Sequence, residues 1–193
     1  AYVARVSNPS NQNNTSTSDR LIKYLIKNQH WSPFEMANVC MEIITTRDIA
    51  RQILRHRSFS FQEFSQRYAD PTESLGFVTR EARLQDEKNR QNSIDITDDA
   101  LQKEWTQKQE AIINLCKSTY EWAKNKGIAK EVIRSVLPEG MMETKLYMNG
   151  TIRSWIHYIS LRSDISTQKE HRNIALLCKN ELSTVFPELE GIC

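Results

Sequence analysis

The sequence predicts a single α+β domain without a Rossmann unit, and two observations lead to this fold class. Apolar residues recur at helical spacing along much of the 193-residue chain, and a few short apolar segments that break this spacing fit strands. The five glycines all stand alone, so neither the GxGxxG turn of a Rossmann unit nor a glycine-rich phosphate loop can form. We therefore expect one domain over residues 1–193, in which side chains hold any nucleotide.

Charge and hydropathy restrict the class of protein further. There are 26 Lys and Arg against 24 Asp and Glu, a net charge of +2, whereas a nucleic-acid-binding domain usually has a broad basic excess. No apolar run reaches the roughly 20 residues of a spanning helix, and no signal segment opens the chain. We expect a cytoplasmic protein. The chain begins with Ala1 rather than Met, so we also expect that the native N-terminus is missing or has been processed.

The first part of the chain predicts a loop, two helices and a strand. A polar loop covers residues 8–18, and Ser18 is expected to cap a helix. That helix carries one apolar stripe, formed by Leu21, Ile22, Leu25 and Ile26. Pro33 excludes a continuing helix, and the apolar run 39–44 fits a mostly buried strand. Residues 49–54 return to helical spacing.

The middle of the chain changes pattern twice. Residues 58–68 have period two or no period, and an extended backbone there would point Glu63, Ser65 and Arg67 the same way. Residues 85–99 are almost wholly polar and predict a mobile surface excursion.

Helices dominate the remainder. A long amphipathic helix is expected over residues 99–125, ended by Gly127, with an apolar face that includes Trp105, Ile112, Ile113, Cys116, Tyr120 and Ala123. A short helix over 129–137 stops at Pro138, and residues 141–148 are either a strand or irregular. A helix over 151–161 directs Ile152, Trp155, Ile156 and Ile159 inward. Thr167 and Glu170 have capping-box spacing and open the last helix.

The densest group of chemically active side chains lies between Gln52 and Arg67. One interpretation is a solvated cluster of cations that complements the C-terminal end of a helix dipole. A second is a pocket of donors for a phosphorylated, planar ligand. A third is a nucleic-acid-binding module in which Arg51, Arg55, Arg57 and Arg67 contact phosphates while Phe59, Phe61 and Tyr68 stack on bases. A purely structural helical assembly protein is a further alternative.

This stretch resembles the RHRxxSxNxxSxR signature of the flavin-dependent thymidylate synthase family. The matching residues are Arg55, His56, Arg57, Ser60, Ser65 and Arg67. Gln62 stands where the family has Asn, which keeps the amide but lengthens its reach by one methylene. Further matches follow in the right order: Ala4–Ser7, His30, Ser32–Glu35, Ala129–Val132, Arg134, Leu137–Pro138, Leu161–Arg162, Gln168 and Glu170. Met36 departs from the His of many relatives.

The resemblance implies both a fold and an activity. The fold is a twisted, largely antiparallel sheet packed with helices, with a first strand upstream of Arg5. The activity is the reductive methylation of dUMP to dTMP by a homotetramer whose active sites lie where subunits meet. Methylenetetrahydrofolate supplies the carbon, and NADPH supplies hydride through bound FAD.

The resemblance also implies ligand-binding residues. The dUMP contacts would be Gln52, Arg55, Glu63, Phe64, Ser65, Gln66, Arg67, Arg134 and Arg162, of which Ser65 and Arg67 suit a phosphate. The FAD contacts would be Ser7, His30, Ser32, Arg55, His56, Arg57, Glu63, Thr151, Ile152, Arg153 and His157. His157 stands where many relatives have Asn, and His30 is alternatively a half-solvated histidine at a helix end.

Arg162 is the candidate catalytic residue. Negative charge develops on a uracil ring when hydride adds to it, and a fixed guanidinium stabilises that charge more than the neutral ground state. The alternative for Arg162 is a surface arginine that follows a helix.

Cysteine and metal chemistry are not expected. Cys40, Cys116, Cys178 and Cys193 form no CxxC pair, and none is adjacent in sequence to a His or Arg, so each is expected to pack rather than attack. The four histidines have no zinc-site spacing, so no metal site is predicted.

Overall fold

A computed structural model describes residues 1–189 and confirms the α+β class, with helices and antiparallel strands mixed along the chain. The helices are α1 Ser18–Lys27, α2 Arg47–Ile53, α3 Pro71–Ser74, α4 Asp99–Asn125, α5 Lys130–Ile133, α6 Ile152–Arg162 and α7 Lys169–Val185. The strands are β1 Asn38–Thr46, β2 Ser60–Glu63, β3 Arg83–Gln85, β4 Ser93–Asp95 and β5 Glu143–Thr151. One sheet has the order β1-β5-β2, and β3 pairs with β4. The undecided segment 141–148 is therefore mainly strand β5.

The contacts divide the chain into two compact units. The first unit contains Ala1–Met41, His56–Phe61 and the chain from Tyr147 onward, and the second contains Glu42–Arg55 and Gln62–Leu146. The single domain over residues 1–193 stays a prediction. No helix within residues 1–189 combines the length and the apolar character needed to cross a membrane.

The core of the first unit lies around α6. The predicted inward face is confirmed, because Ile152, Trp155, Ile156 and Ile159 are all buried. The Trp155 indole Nε1 donates a hydrogen bond to the Val39 carbonyl oxygen at 3.0 Å, which satisfies its one polar group inside the core. Helix α6 packs against α7, and α7 contributes the buried residues Ala175, Cys178 and Leu182.

Gly150 in β5 lies against the aromatic ring of Phe59, and a Cβ at this position would overlap that ring. Phe59 is buried and meets Trp155 edge-on with ring centroids 5.0 Å apart, so it cannot move aside easily. We expect Gly150→Ala to lower the free energy of unfolding by about 1–3 kcal/mol through overpacking. Urea denaturation measures this loss. Gly140→Ala is the matched control, because a Cβ there meets nothing within 4 Å; an equal loss in both variants would contradict the explanation.

The core of the second unit is formed by residues from the end of α4, from α5 and from the segment before β5. Its buried cluster contains Tyr120, Ala123, Ile133, Leu137 and Met142. Helix α4 has the predicted bounds. Gly127, with φ +73°, follows it as predicted, and the Ile128 N–H bonds to the Ala123 carbonyl at 3.1 Å. Part of the predicted apolar face is wrong, because Trp105 and Ile112 are exposed.

The predicted burial of β1 is also wrong. Of the run 39–44 only Ile43 is buried, whereas Cys40, Glu42 and Ile44 are exposed. Because successive side chains of a strand point to opposite faces, this apolar run covers two faces, and only one of them faces the core.

Several local details differ from, or add to, what the sequence predicts. Thr17 and Gln168, rather than Ser18 and Thr167, are the N-cap residues of α1 and α7, and neither makes a side-chain cap bond. Strand β2 ends at Glu63, and a turn follows in which the Tyr68 N–H bonds to the Ser65 carbonyl at 3.1 Å. The polar excursion 85–99 contains strand β4, which pairs with β3 in antiparallel register. The predicted helix 129–137 is α5 followed by a 3-10 turn, Arg134–Val136.

The C-terminal end of α1 has an uncommon backbone conformation. Gln29 lies in the left-handed region with φ 58°, and the next residue, His30, bonds through its N–H to the Leu25 carbonyl at 2.8 Å. This conformation reverses the chain without a glycine. It leads directly into the 3-10 turn Ser32–Met36, which contains one of the candidate FAD residues.

Candidate functional site

In the second unit, Glu63 is held by three surrounding side chains. Its Oε1 accepts a hydrogen bond from the Thr144 hydroxyl at 3.0 Å, and its Oε2 accepts one from Arg51 Nη1 at 3.2 Å. Arg47 Nη1 lies 3.5 Å from Glu63 Oε1. Two cations and a hydroxyl therefore fix this carboxylate at the end of β2.

Arg47 is a residue of this cluster that sequence reasoning missed. It is buried at the start of α2, and burial lowers the pKa of its guanidinium, an effect that Glu63 opposes and Arg51 reinforces. Its Nε also lies 3.7 Å from Glu139 Oε1. The signal that could have found it is a cation two residues before the apolar pair Ile49 and Ala50, because a cation buried beside them would need an anionic partner.

The candidate phosphate ligands lie in the turn after β2 and near α5. Arg67 Nη2 pairs with Glu131 Oε2 at 3.3 Å, and both side chains are more than half exposed. Gln66 beside it is buried, and within residues 1–189 its Nε2 has no hydrogen-bond partner. Arg134 follows α5 and is one of the charges that lower the pKa of Arg47. This turn thus contains a buried amide nitrogen that has no hydrogen-bond partner among the described residues.

The remaining dUMP candidates of the second unit lie on and after α2 and at the end of β2. Gln52 is half-buried on α2, and Phe64 is half-buried, with its N–H bonded to the Lys145 carbonyl at 2.8 Å. Arg55 follows the helix and is exposed, and it forms no ion pair with any residue in the described range 1–189.

In the first unit, Arg162 at the end of α6 contacts a group of three rings. Its Nε donates a hydrogen bond to His56 Nε2 at 2.9 Å. The His56 ring meets Tyr158 edge-on at 4.9 Å, and the Tyr158 hydroxyl lies 3.2 Å from His171 Nε2. Burial raises the pKa of Tyr158, so its hydroxyl stays protonated. Tyr158 and His171 were not predicted, because nothing in their spacing links them to His56.

His171 makes the stability of the protein depend on pH. It is fully buried, and burial, with smaller effects of Arg162 and His56, lowers its pKa from 6.5 to about 4. The unfolded chain therefore binds a proton more tightly, and stability is lost as pH falls from about 6.5 toward 4. Between pH 7.5 and pH 5 this one group is expected to remove about 2 kcal/mol from the free energy of unfolding.

The variant His171→Leu tests this expectation. Urea denaturation at pH 7.5 and pH 5 should show a smaller loss of stability on acidification for the variant than for the native chain, whatever the variant costs at pH 7.5. His157→Leu is the control, since His157 is exposed on the same helix as Tyr158. If the native chain and His171→Leu lost the same free energy of unfolding between pH 7.5 and pH 5, the role assigned to His171 would be contradicted.

The FAD candidates at the start of α6 are tied to Glu35. Arg153 Nη1 donates to Glu35 Oε1 at 2.5 Å, and the Thr151 hydroxyl donates to Glu35 Oε2 at 2.9 Å. These two bonds hold the pKa of Glu35 below its usual value, and the bond from Arg153 has the larger effect. Thr151 also caps the helix by accepting from the Ser154 N–H. Ile152 is buried, so its side chain belongs to the core.

A surface cleft lies beside the exposed side of α6. It has a volume of about 610 Å³ and is lined by Trp31, His157, Ser160 and Asp164 among others. The rings of Trp31 and His157 meet edge-on at 4.9 Å.

The other FAD candidates of the first unit are exposed. Ser32 begins the 3-10 turn after Trp31, and His30 contacts Tyr24 with ring centroids 6.0 Å apart. Ser7 and Arg57 are exposed as well, and Arg57 makes no ion pair within residues 1–189.

The candidates for the two ligands largely separate between the two units. Those for dUMP lie in the second unit except for Arg162, and those for FAD lie in the first except for Arg55 and Glu63. Among residues 1–189, no group of three or more His, Cys, Asp or Glu side chains could hold a metal ion.

The cysteines differ in their surroundings. Cys178 is buried as expected, and burial raises the pKa of its thiol to about 12. Cys116 is half-buried, and burial also raises its pKa. The packing role expected for Cys40 is wrong, since Cys40 is exposed on β1. Cys193 lies outside the described residues.

Comparison with known proteins gives the family. The family model described as thymidylate synthase complementing protein matches residues 1–188. A flavin-dependent thymidylate synthase from Synechocystis sp. is 52% identical over 97% of this chain and 84% of the relative. A probable flavin-dependent thymidylate synthase from Paramecium bursaria Chlorella virus 1 is 49% identical over 98% of this chain and 86% of the relative.

A solved structure supports the fold. The UMP/dUMP methylase PolB from Streptomyces cacaoi, bound with 5-Br dUMP, superposes with a TM-score of 0.82 at 24% identity, over 99% of this chain and 87% of that one. The chain thus has the fold of an α+β enzyme that methylates nucleotides. It belongs to the flavin-dependent thymidylate synthase family, which confirms the resemblance of the signature.

Proposed function

We propose that this chain converts dUMP to dTMP with bound FAD, taking the one-carbon unit from methylenetetrahydrofolate and hydride from NADPH. The observation that carries the proposal is the family match over residues 1–188, together with 52% identity to a flavin-dependent thymidylate synthase. The fold neighbour PolB, bound with 5-Br dUMP, adds support for a pyrimidine nucleotide as substrate.

The second unit supplies most of the groups proposed for dUMP. Arg67 and Arg134 bring cations to the phosphate, and the Ser65 hydroxyl brings a further donor. Gln66 is included because the resemblance implies it, and its buried Nε2 lacks a partner within the described residues. Gln52, Arg55, Glu63 and Phe64 complete the proposed set. Arg51 and Thr144 already hold the Glu63 carboxylate by hydrogen bonds.

The residues of the first unit fit a flavin dinucleotide by their chemistry. The exposed guanidinium of Arg57 and the hydroxyls of Ser7 and Ser32 suit a pyrophosphate, and the rings of His157 and His30 suit contact with flat heterocycles. Arg55, His56, Glu63, Thr151, Ile152 and Arg153 are the other proposed FAD residues. Bound FAD would supply the two-electron chemistry that side chains lack.

Arg162 is proposed as the catalytic residue and as a further dUMP contact. Hydride addition places negative charge on the uracil ring, and a guanidinium already in position stabilises that charge without reorganisation. No cysteine nucleophile is required. Burial raises the pKa of the Cys178 thiol, and a thiol must lose its proton to attack.

We further propose a cytoplasmic homotetramer whose active sites form where subunits meet, as the resemblance implies. Arg134 would then reach dUMP from a neighbouring subunit. Sedimentation tests the assembly, because it gives the number of subunits. Subunit mixing tests the site: combining Arg134→Ala with Arg162→Ala subunits should restore activity only if residues of two chains form one active site.

The activity itself is tested with purified protein. We expect a yellow protein with flavin absorption bands that change when dUMP is added. With NADPH and methylenetetrahydrofolate, it should form dTMP. A protein that never takes up added FAD, or that oxidises NADPH without forming dTMP, would contradict the proposal.

A further inference from the structure

The way in which Arg162 is held distinguishes it from the arginines of the candidate region that form ion pairs. Arg51, Arg67 and Arg153 each pair with a carboxylate, namely Glu63, Glu131 and Glu35. Arg162 forms no ion pair within residues 1–189, and its Nε is bonded to an imidazole nitrogen instead. Its two terminal nitrogens make no hydrogen bond to any described residue.

This bond fixes the protonation state of His56. An arginine in a protein keeps its protons, so Arg162 Nε can only donate, and His56 Nε2 must present its lone pair. The imidazole is then neutral and carries its proton on Nδ1. A protonated His56 would offer a second N–H at 2.9 Å from a cation and could not accept the bond.

Packing against Tyr158 fixes the orientation of the His56 ring. Tyr158 meets the ring edge-on, at an interplanar angle of 87° and a centroid distance of 4.9 Å. Tyr158 is itself buried and bonded through its hydroxyl to the fully buried His171. Rotation of His56 away from Arg162 would therefore require these packed rings to move.

We propose that His56 is a positioning residue for Arg162: its neutral Nε2 anchors the guanidinium through Nε, so that both terminal nitrogens and the full positive charge face the substrate. This inference rests on the proposed function of Arg162. A carboxylate in place of His56 would anchor the arginine equally well but would neutralise the charge that stabilises an anionic transition state. A neutral acceptor provides the anchor without that loss.

The tautomer is tested directly by NMR of the full chain labelled with ¹⁵N-histidine. Comparison with the spectrum of His56→Gln identifies the His56 signals. At neutral pH we expect Nδ1 protonated and Nε2 unprotonated. A His56 that is protonated on Nε2 would overturn the proposal. Because this measurement needs no catalysis, it decides the His56–Arg162 bond even if the protein fails to form dTMP.

Kinetics then tests whether the anchor acts through Arg162. His56→Leu removes the acceptor, and we expect kcat for dTMP formation to fall about 10- to 100-fold, with a smaller change in KM for dUMP. His56→Gln keeps an acceptor oxygen near the position of Nε2, and we expect it to recover most of the lost kcat. Equal loss in both variants would contradict the anchoring role.

A double-mutant cycle separates positioning from an independent contact with FAD. If His56 acts through Arg162, Arg162→Ala and the double variant His56→Leu/Arg162→Ala have the same kcat at saturating FAD. If the two losses multiply, His56 acts on its own, and the proposal is overturned. Flavin absorption and circular dichroism of each variant measure retained cofactor and fold, and the NMR result stands independently if His56→Leu does not fold.

Discussion

Replacing Arg162 with alanine is expected to lower kcat for dTMP formation by about 10²- to 10³-fold, the usual loss when one fixed donor to a developing negative charge is removed. The guanidinium lies at the end of α6, is anchored through Nε and has no carboxylate partner within the described range. Its loss therefore removes the positive charge that we propose stabilises the anionic uracil ring. Rapid-quench measurement of dTMP at saturating dUMP, FAD, NADPH and methylenetetrahydrofolate gives kcat directly.

Two controls make this expectation specific. Flavin absorption of Arg162→Ala should remain close to that of the native protein, because the variant changes chemistry rather than the fold. Arg90→Ala removes an exposed arginine in the loop between β3 and β4 and should turn over normally. Native turnover by Arg162→Ala would refute the catalytic role.

Replacing Arg67 with alanine is expected to weaken dUMP binding about 10- to 100-fold, because a hydrogen bond to a charged group contributes about 1.5–3 kcal/mol. Arg67 lies in the turn after β2, and its guanidinium is more than half exposed. The loss should appear in the dissociation constant of dUMP, measured by titrating the flavin bands, and much less in kcat at saturating substrate.

Glu131 provides the matched variant for this prediction. It pairs with Arg67 at 3.3 Å and so competes with a bound phosphate for the same guanidinium. Glu131→Gln should leave dUMP affinity unchanged or increase it, whereas Arg67→Ala should decrease it. If both substitutions weakened dUMP binding equally, the ion pair would be structural, and Arg67 would have no direct part in binding phosphate.

The fold was predictable where local patterns decide the structure. The long helix α4 has a helical period and a following glycine, and both of its bounds were obtained from them. The burial of β1 was not predictable, because a run of apolar residues does not show which of the two faces of a strand meets the core. The hairpin of β3 and β4 was missed for a related reason: its polar exposed side chains carry no alternation of apolar and polar residues.

The candidate site was predictable by motif and not by geometry. The signature from Arg55 to Arg67 gave the family, which the comparisons confirm. The partners that hold its residues come from distant positions: Thr144 and Arg47 at Glu63, and Tyr158 against His56. Such contacts depend on packing between segments far apart in the chain, and no spacing rule encodes them.

Gln29 shows that the end of a helix can carry an energetic cost. A side chain in the left-handed region is disfavoured by about 1–2 kcal/mol, and glycine would avoid this cost. A glycine would also give the peptide that follows α1 a wider range of conformations. Gln29 therefore makes the native state slightly less stable than a residue without this backbone cost would. It also restricts the backbone conformations open to the segment that contains His30.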